Sequence, residues 1–199
     1  MKTLLITISL FIAISSCAKK EESDESGSSN QTNTSFGKFI SVGQTGTILT
    51  SSDGISWDNV SSGSTENLRA VAYGNKTLAI AGYSGTILTS NDAVTWTTRT
   101  SGTSENLGCI SYGNSTFVAV GNSGTIITST DGITWTSRTS GTSKNLWGIT
   151  YGNNKWVTGG DNGSVFSSSD GITWISRISG KDQELNDVIY IKDKFIFFG

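Results

Sequence analysis

The chain has 199 residues, 35% of them hydrophobic and 15% charged, with 24 Gly, 6 Trp, no Pro and no His. Charge is sparse against the about 25% usual in soluble domains and glycine is abundant, a balance that describes a turn-rich, all-β chain. A net charge of −2 and a pI near 5.1 leave no basic footprint for nucleic acid, and the absence of His excludes Ser-His-Asp triads, Cys-His dyads and His-ligated zinc or haem, so no cofactor is expected.

The chain opens with an export signature. Lys2 precedes an apolar run over residues 4–14, too short for a membrane span of about 20 residues but of the length of a signal-peptide core. Ile14-Ser15-Ser16-Cys17 follows directly and resembles the bacterial lipobox, in which the Cys is lipidated and becomes the new N-terminus. A plain secretory peptide with an incidental Cys is the alternative. Residues 18–35 contain no large apolar side chain, so they cannot bury enough surface to fold and read as a tether. The expected organisation is a lipoprotein signal peptide over 1–16, a lipidated Cys17 with its tether over 17–35, and a repeat domain over 36–199. Such a protein would sit at the bacterial cell envelope, at the outer membrane or cell surface, touching membrane only through lipid. With Cys17 modified, Cys109 is the one thiol left and no intramolecular disulfide can form.

From residue 36 onward the sequence repeats. Trp57, Trp96, Trp135 and Trp174 stand 39 residues apart without insertion or deletion, as do Asp53, Asp92, Asp131 and Asp170. A period near 40 holding four short β patterns marks a β-propeller blade. In the unit over 64–102, strands are expected at 67–73, 77–81, 86–89 and 95–99, separated by turns rich in Gly, Asn, Asp and Ser. The second strand is apolar at successive positions, as in a sheet covered on both faces. A β-solenoid suits the Thr- and Gly-rich texture less well, since its coils are shorter. The expected fold is an all-β propeller of four-stranded blades, four repeats plus a partial fifth. The first repeat lacks an inner strand. Residues 185–190 either supply it and close a four-bladed ring, leaving 194–199 surplus, or the propeller is open or truncated; the second reading is favoured because the chain stops mid-repeat.

The segments Ser51-Ser52-Asp53-Gly54-Ile55-Ser56-Trp57 and Ser129-Thr130-Asp131-Gly132-Ile133-Thr134-Trp135, with their counterparts at Asp92–Trp96 and Asp170–Trp174, resemble the Asp-box of bacterial-neuraminidase-type repeats, one residue shorter between Asp and Gly. The whole unit is similar to the repeats of photosystem II stability/assembly-factor-like proteins. The resemblance implies that these Asp and Trp residues are framework: the Asp accepts hydrogen bonds from turn amides and the Trp is an apolar plate between sheets. No metal site is expected, since each Asp lacks the further oxygen ligands calcium requires.

The neuraminidase resemblance also raises a carbohydrate-active enzyme, sialidase-like or another glycoside hydrolase. Arg99, Arg138 and Arg177 share one repeat position rather than converging, and Glu66 and Glu105 recur on adjacent repeats as solvated surface residues do. No catalytic residue is assigned. Positions that break the repeat are better guides to a ligand. Arg69, Gly108, Trp147 and Asn186 share one position, and Gln44, Tyr83, Asn122 and Asp161 another; both are expected on one end of the propeller, around its channel. The expected function is a non-enzymatic binding or assembly module. It would recognise a protein or glycan through Arg69, Tyr83, Trp147 and Asp161, with Glu66, Glu105 and Lys144 at the edge. Trp135 is read as framework, Trp156 as core and Trp147 as neither.

Overall fold

The computed structural model describes residues 38–199; the expected signal peptide, Cys17 and the tether lie outside them. Five antiparallel sheets follow one another along the chain. The first contains β1 (Phe39–Val42), β2 (Thr47–Ser51) and β3 (Asp58–Ser61). Three four-stranded sheets come next: β4 (Leu68–Gly74), β5 (Thr77–Gly82), β6 (Ile87–Ser90) and β7 (Thr97–Arg99); β8 (Leu107–Gly113), β9 (Thr116–Gly121), β10 (Ile126–Ser129) and β11 (Thr136–Arg138); and β12 (Leu146–Gly152), β13 (Lys155–Gly160), β14 (Val165–Ser168) and β15 (Ile175–Arg177). The last sheet has only β16 (Asp187–Ile191) and β17 (Lys194–Phe198).

The first strands of successive sheets, β4, β8, β12 and β16, pack beside one another. The sheets therefore fan around an axis as propeller blades. β16 pairs with β17 in its own sheet instead of completing the first one, so the arc stays open and the closed four-bladed ring is set aside.

The core lies between blades. On β5 the side chains of Leu78, Ala79, Ile80 and Ala81 are all buried, because both faces of the strand meet a neighbouring sheet. The same register on β9 and β13 places Phe117 and Trp156 fully inside, which matches the reading of Trp156 as core. The four framework tryptophans are not central: Trp96, Trp135 and Trp174 are half-buried and Trp57 is exposed. They cover the margin of the core rather than filling the gap between sheets.

The outer strand, expected over 95–99, begins only at Thr97. The backbone amides of Val94 and Thr95 both donate to Asp92 Oδ1, at 2.8 and 2.7 Å, which holds these residues in the turn and delays entry into the ladder. The outer strand is tied instead through Arg99, Arg138 and Arg177, whose Nε–H groups donate to Thr89 Oγ1, Thr128 Oγ1 and Ser167 Oγ on the adjacent strand at 2.8, 2.9 and 2.8 Å. These arginines are framework.

Candidate functional site

Antiparallel strand order divides each blade's connections between two ends. The inner hairpin turn and the Ser-x-Asp turn share one end. The three-residue 3-10 turn between the second and third strands and the connector into the next blade share the other.

At the first end the four Asp turns are nearly superposable in their bonding. In the last, Ser168 Oγ donates to Asp170 Oδ1 at 2.9 Å, and that same oxygen accepts the amides of Ile172 and Thr173, each at 2.8 Å. These amide donors hold the Asp170 carboxyl down to about 2, and Asp53, Asp92 and Asp131 are lowered for the same cause. With one oxygen of each carboxylate spent on its own turn, the arrangement fastens a loop. Trp135 and Trp174 close it by donating from Nε1 to the carbonyls of Gly132 and Gly171 at 3.0 and 3.2 Å.

At the channel end, the two repeat-breaking positions come together in the second and fourth blades. Leu68, Leu107 and Leu146 pair with the second strand in register, and the next residue is skipped: Arg69, Gly108 and Trp147 are β-bulge residues. A bulge frees one residue from the ladder and re-aims its side chain, so it can vary without cost to the sheet. The facing residue is the first of the 3-10 turn. In the fourth blade the Trp147 Nε1–H donates to Asp161 Oδ1 at 2.6 Å, while Asp161 Oδ2 accepts the Asn145 amide at 3.3 Å. In the second blade the Arg69 guanidinium carbon lies 5.7 Å from the centre of the Tyr83 ring, within cation–π range.

The middle blade has no large bulge side chain, and its neighbour uses the space. A Cβ on Gly108 would lie 3.4 Å from Cε3 of Trp147, so the indole rests against the backbone of the adjacent inner strand. Trp147 is thereby held on two sides, by Asp161 and by Gly108. It is a partly exposed anchor in a fixed pose, more strongly tied to the framework than its repeat-breaking position alone implies. In the same blade as Gly108, Asn122 Oδ1 is buried without a hydrogen-bond partner.

The edge residues separate. Glu66 accepts a hydrogen bond from Ser84 Oγ at 3.2 Å beside Tyr83, whereas Glu105 meets the second blade through its backbone, its carbonyl accepting the Gly85 amide at 2.9 Å. Lys144 lines a shallow cleft of about 460 Å³ with Arg177 and Lys181. One set of residues carries no role in the sequence reading: Asn67, Asn106 and Asn145 each accept, at Oδ1, the amide of Thr45, Ser84 or Ser123 in the preceding blade's 3-10 turn, at 3.1, 2.9 and 3.0 Å. Their signal is present, an Asn before Leu at 67, 106 and 145, 39 residues apart, but only the blade-to-blade approach reveals its use.

No family profile and no curated protein matches the sequence. Solved structures do. YCF48 bound to D1 peptide is 15% identical with a TM-score of 0.62, the match covering 78% of this chain and 54% of that one. YCF48 from Cyanidioschyzon merolae is 14% identical with a TM-score of 0.58, covering 79% and 57%. The WD40 β-propeller domain of Doa1 is 17% identical with a TM-score of 0.60, covering 80% and 57%. The likeness is one of fold, a β-propeller, and the matched part of this chain spans little more than half the length of each neighbour.

Proposed function

We propose that this protein is a non-enzymatic binding or assembly module that takes a protein partner on its channel face, and that it is displayed at a bacterial envelope by lipid on Cys17. The observation that carries the reading is the pairing of bulge and turn residues. Arg69 with Tyr83 and Trp147 with Asp161 present two ordered aromatic surfaces, each beside a charge, at the positions where the repeat tolerates variation. Aromatic and Arg side chains carry most binding energy at protein interfaces, and anchors already fixed in the free protein lose little entropy on binding. One structural neighbour is a propeller bound to a peptide, which supports a peptide or protein loop as the ligand here.

The resemblance of residues 53–57, 92–96, 131–135 and 170–174 to the Asp-box belongs to the same reading, as a folding device on the end away from the ligand. The lipobox-like segment before Cys17 supplies the address. Two acyl chains hold a protein stably at a membrane where one does not.

The test is capture of envelope proteins by the tagged chain. Trp147→Ala is expected to weaken capture by about 2 kcal/mol, near 30-fold, as loss of a hot-spot residue does, and Arg69→Ala to weaken it as well. Asp53→Ala, at the opposite end, should leave it unchanged, and Cys17→Ser should move the protein out of the membrane fraction. Capture that survives both channel-face changes and fails with Asp53→Ala would place the ligand at the other end. Binding to a glycan array with no protein captured would replace the partner class.

A further inference from the structure

The cleft of about 460 Å³ beside Lys144 lies between the connector that enters the fourth blade and the one that leaves it. Four of its wall positions depart from the repeat. Lys144 stands where the second and third blades have Glu66 and Glu105, and Lys181 where they have Thr103 and Thr142. Asp182 replaces Ser104 and Ser143, and Ile178 replaces Thr100 and Thr139. Arg177 is common to all three blades, as Arg99 and Arg138. The second and third blades therefore set one acid against one arginine at this place. The fourth gathers three cations against the single acid Asp182, in a chain whose net charge is −2.

These cations are not spent on the framework. Among the described residues none of the three is paired with a carboxylate. Arg177 uses only its Nε–H, on Ser167 Oγ at 2.8 Å, which leaves its Nη groups for another partner. A backbone donor joins them. At the three earlier junctions an Asn Oδ1 accepts the amide of the second residue of the 3-10 turn. Glu184 stands in the Asn position that corresponds to Asn162, and the Asn162 amide, on the cleft wall, has no side-chain acceptor among the described residues.

We propose that this cleft binds a sugar phosphate, its phosphate held by Lys144, Arg177, Lys181 and the Asn162 amide. Three positive groups around one small volume suit a multiply charged anion. A phosphate monoester carries about 1.5 to 2 negative charges at neutral pH and three acceptor oxygens, against the single charge of a carboxylate, and an arginine fork meets phosphate oxygens in pairs. The other two departures select the sugar. Asp182 is an acceptor for ring hydroxyls, and Ile178, fully exposed, offers an apolar surface to the ring carbons. The volume is that of a small-molecule site, more than a bare phosphate fills. The cleft is two blades from Arg69 and does not depend on the partner proposed for the channel face.

Isothermal titration of the full chain with glucose 6-phosphate is the test, and the full chain keeps the acidic residues Glu21, Glu22, Asp24 and Glu25 present as competitors. Saturable binding at one site is expected. Lys144→Glu and Lys181→Thr restore what the other blades carry, so both suit the fold. Each should weaken binding about tenfold or more, as loss of a charge-assisted hydrogen bond does. Asp182→Ser should erase the preference for glucose 6-phosphate over inorganic phosphate. Arg69→Ala and Lys155→Thr remove a cation elsewhere and should leave binding unchanged. No binding at millimolar ligand overturns the proposal. So does binding that survives the combined Lys144→Glu and Lys181→Thr changes, an equal loss with Arg69→Ala, or inorganic phosphate, glucose or acetate bound as tightly as glucose 6-phosphate.

Discussion

Asp170 shows how much one side chain holds in each repeat: a single carboxylate oxygen takes two backbone amides and a hydroxyl, which draws its pKa to about 2. An unfolded Asp titrates near 3.9. The folded value is the lower one, so the charged form favours folding; that stabilisation is complete above about pH 4 and is lost as the pH falls toward 2. Asp53, Asp92 and Asp131 share the sign. Asp187 has the opposite one, since burial pushes it up and its ionisation opposes folding as the pH rises past 4. Urea midpoints followed by tryptophan fluorescence should therefore be flat from pH 7 to 5 and drop below 4, and Asp170→Asn should shrink the drop. The residue after each Asp gives a second test. Gly132 has φ +73 and a Cβ there would stand 3.2 Å from Thr77 Cγ2, whereas Ala93 occupies the same left-handed position at φ 59 with its methyl buried. Gly132→Ala should cost about 1–2 kcal/mol. Ala93→Gly should be close to neutral, because relief of the left-handed backbone offsets about 0.8 kcal/mol of lost methyl burial.

Among the elements, β5, β9 and β13, with the third strands β6, β10 and β14 beside them, are covered on both faces. Trp156 on β13 is fully buried and packs on Tyr151 with ring centres 4.9 Å apart. Trp135 sits at the turn end of its blade, 6.3 Å from the Phe117 ring and only partly buried. Equilibrium unfolding should accordingly show about 3–5 kcal/mol lost in Trp156→Ala, the range for a buried aromatic, and clearly less in Trp135→Ala. Equal losses would mean that the turn tryptophans, not the strand pair, anchor the blade. The inner strand contributes differently, because its bulge releases Arg69, Gly108 or Trp147 from pairing while the ladder resumes one residue later. Sheet stability and surface chemistry are thus separated within seven residues.

As a whole, the molecule is a stack in which each sheet touches its sequence neighbours, so stability is a sum of blades and junctions. Central sheets have two junctions and end sheets one. Amide exchange should be slowest on β5 and β9 and fastest on β3 and β17. Uniform exchange would imply all-or-none opening of the arc.

The period, the strands and the turn chemistry are legible in the sequence because each is set within a few residues: a Gly or Asp in a turn, apolar runs of strand length, a Trp at every 39th position. The channel-face positions are legible only as departures from the repeat. That they are bulges, and that Trp147 bonds Asp161 across 14 residues and leans on Gly108 of another blade, follows from strand register and blade approach, which no local signal encodes. Burial is the least local property of all. Phe39 and Phe117 are the same residue at the same repeat position, yet one is 56% exposed and the other 0%, since removal from water depends on what the neighbouring sheet brings and not on the residue itself.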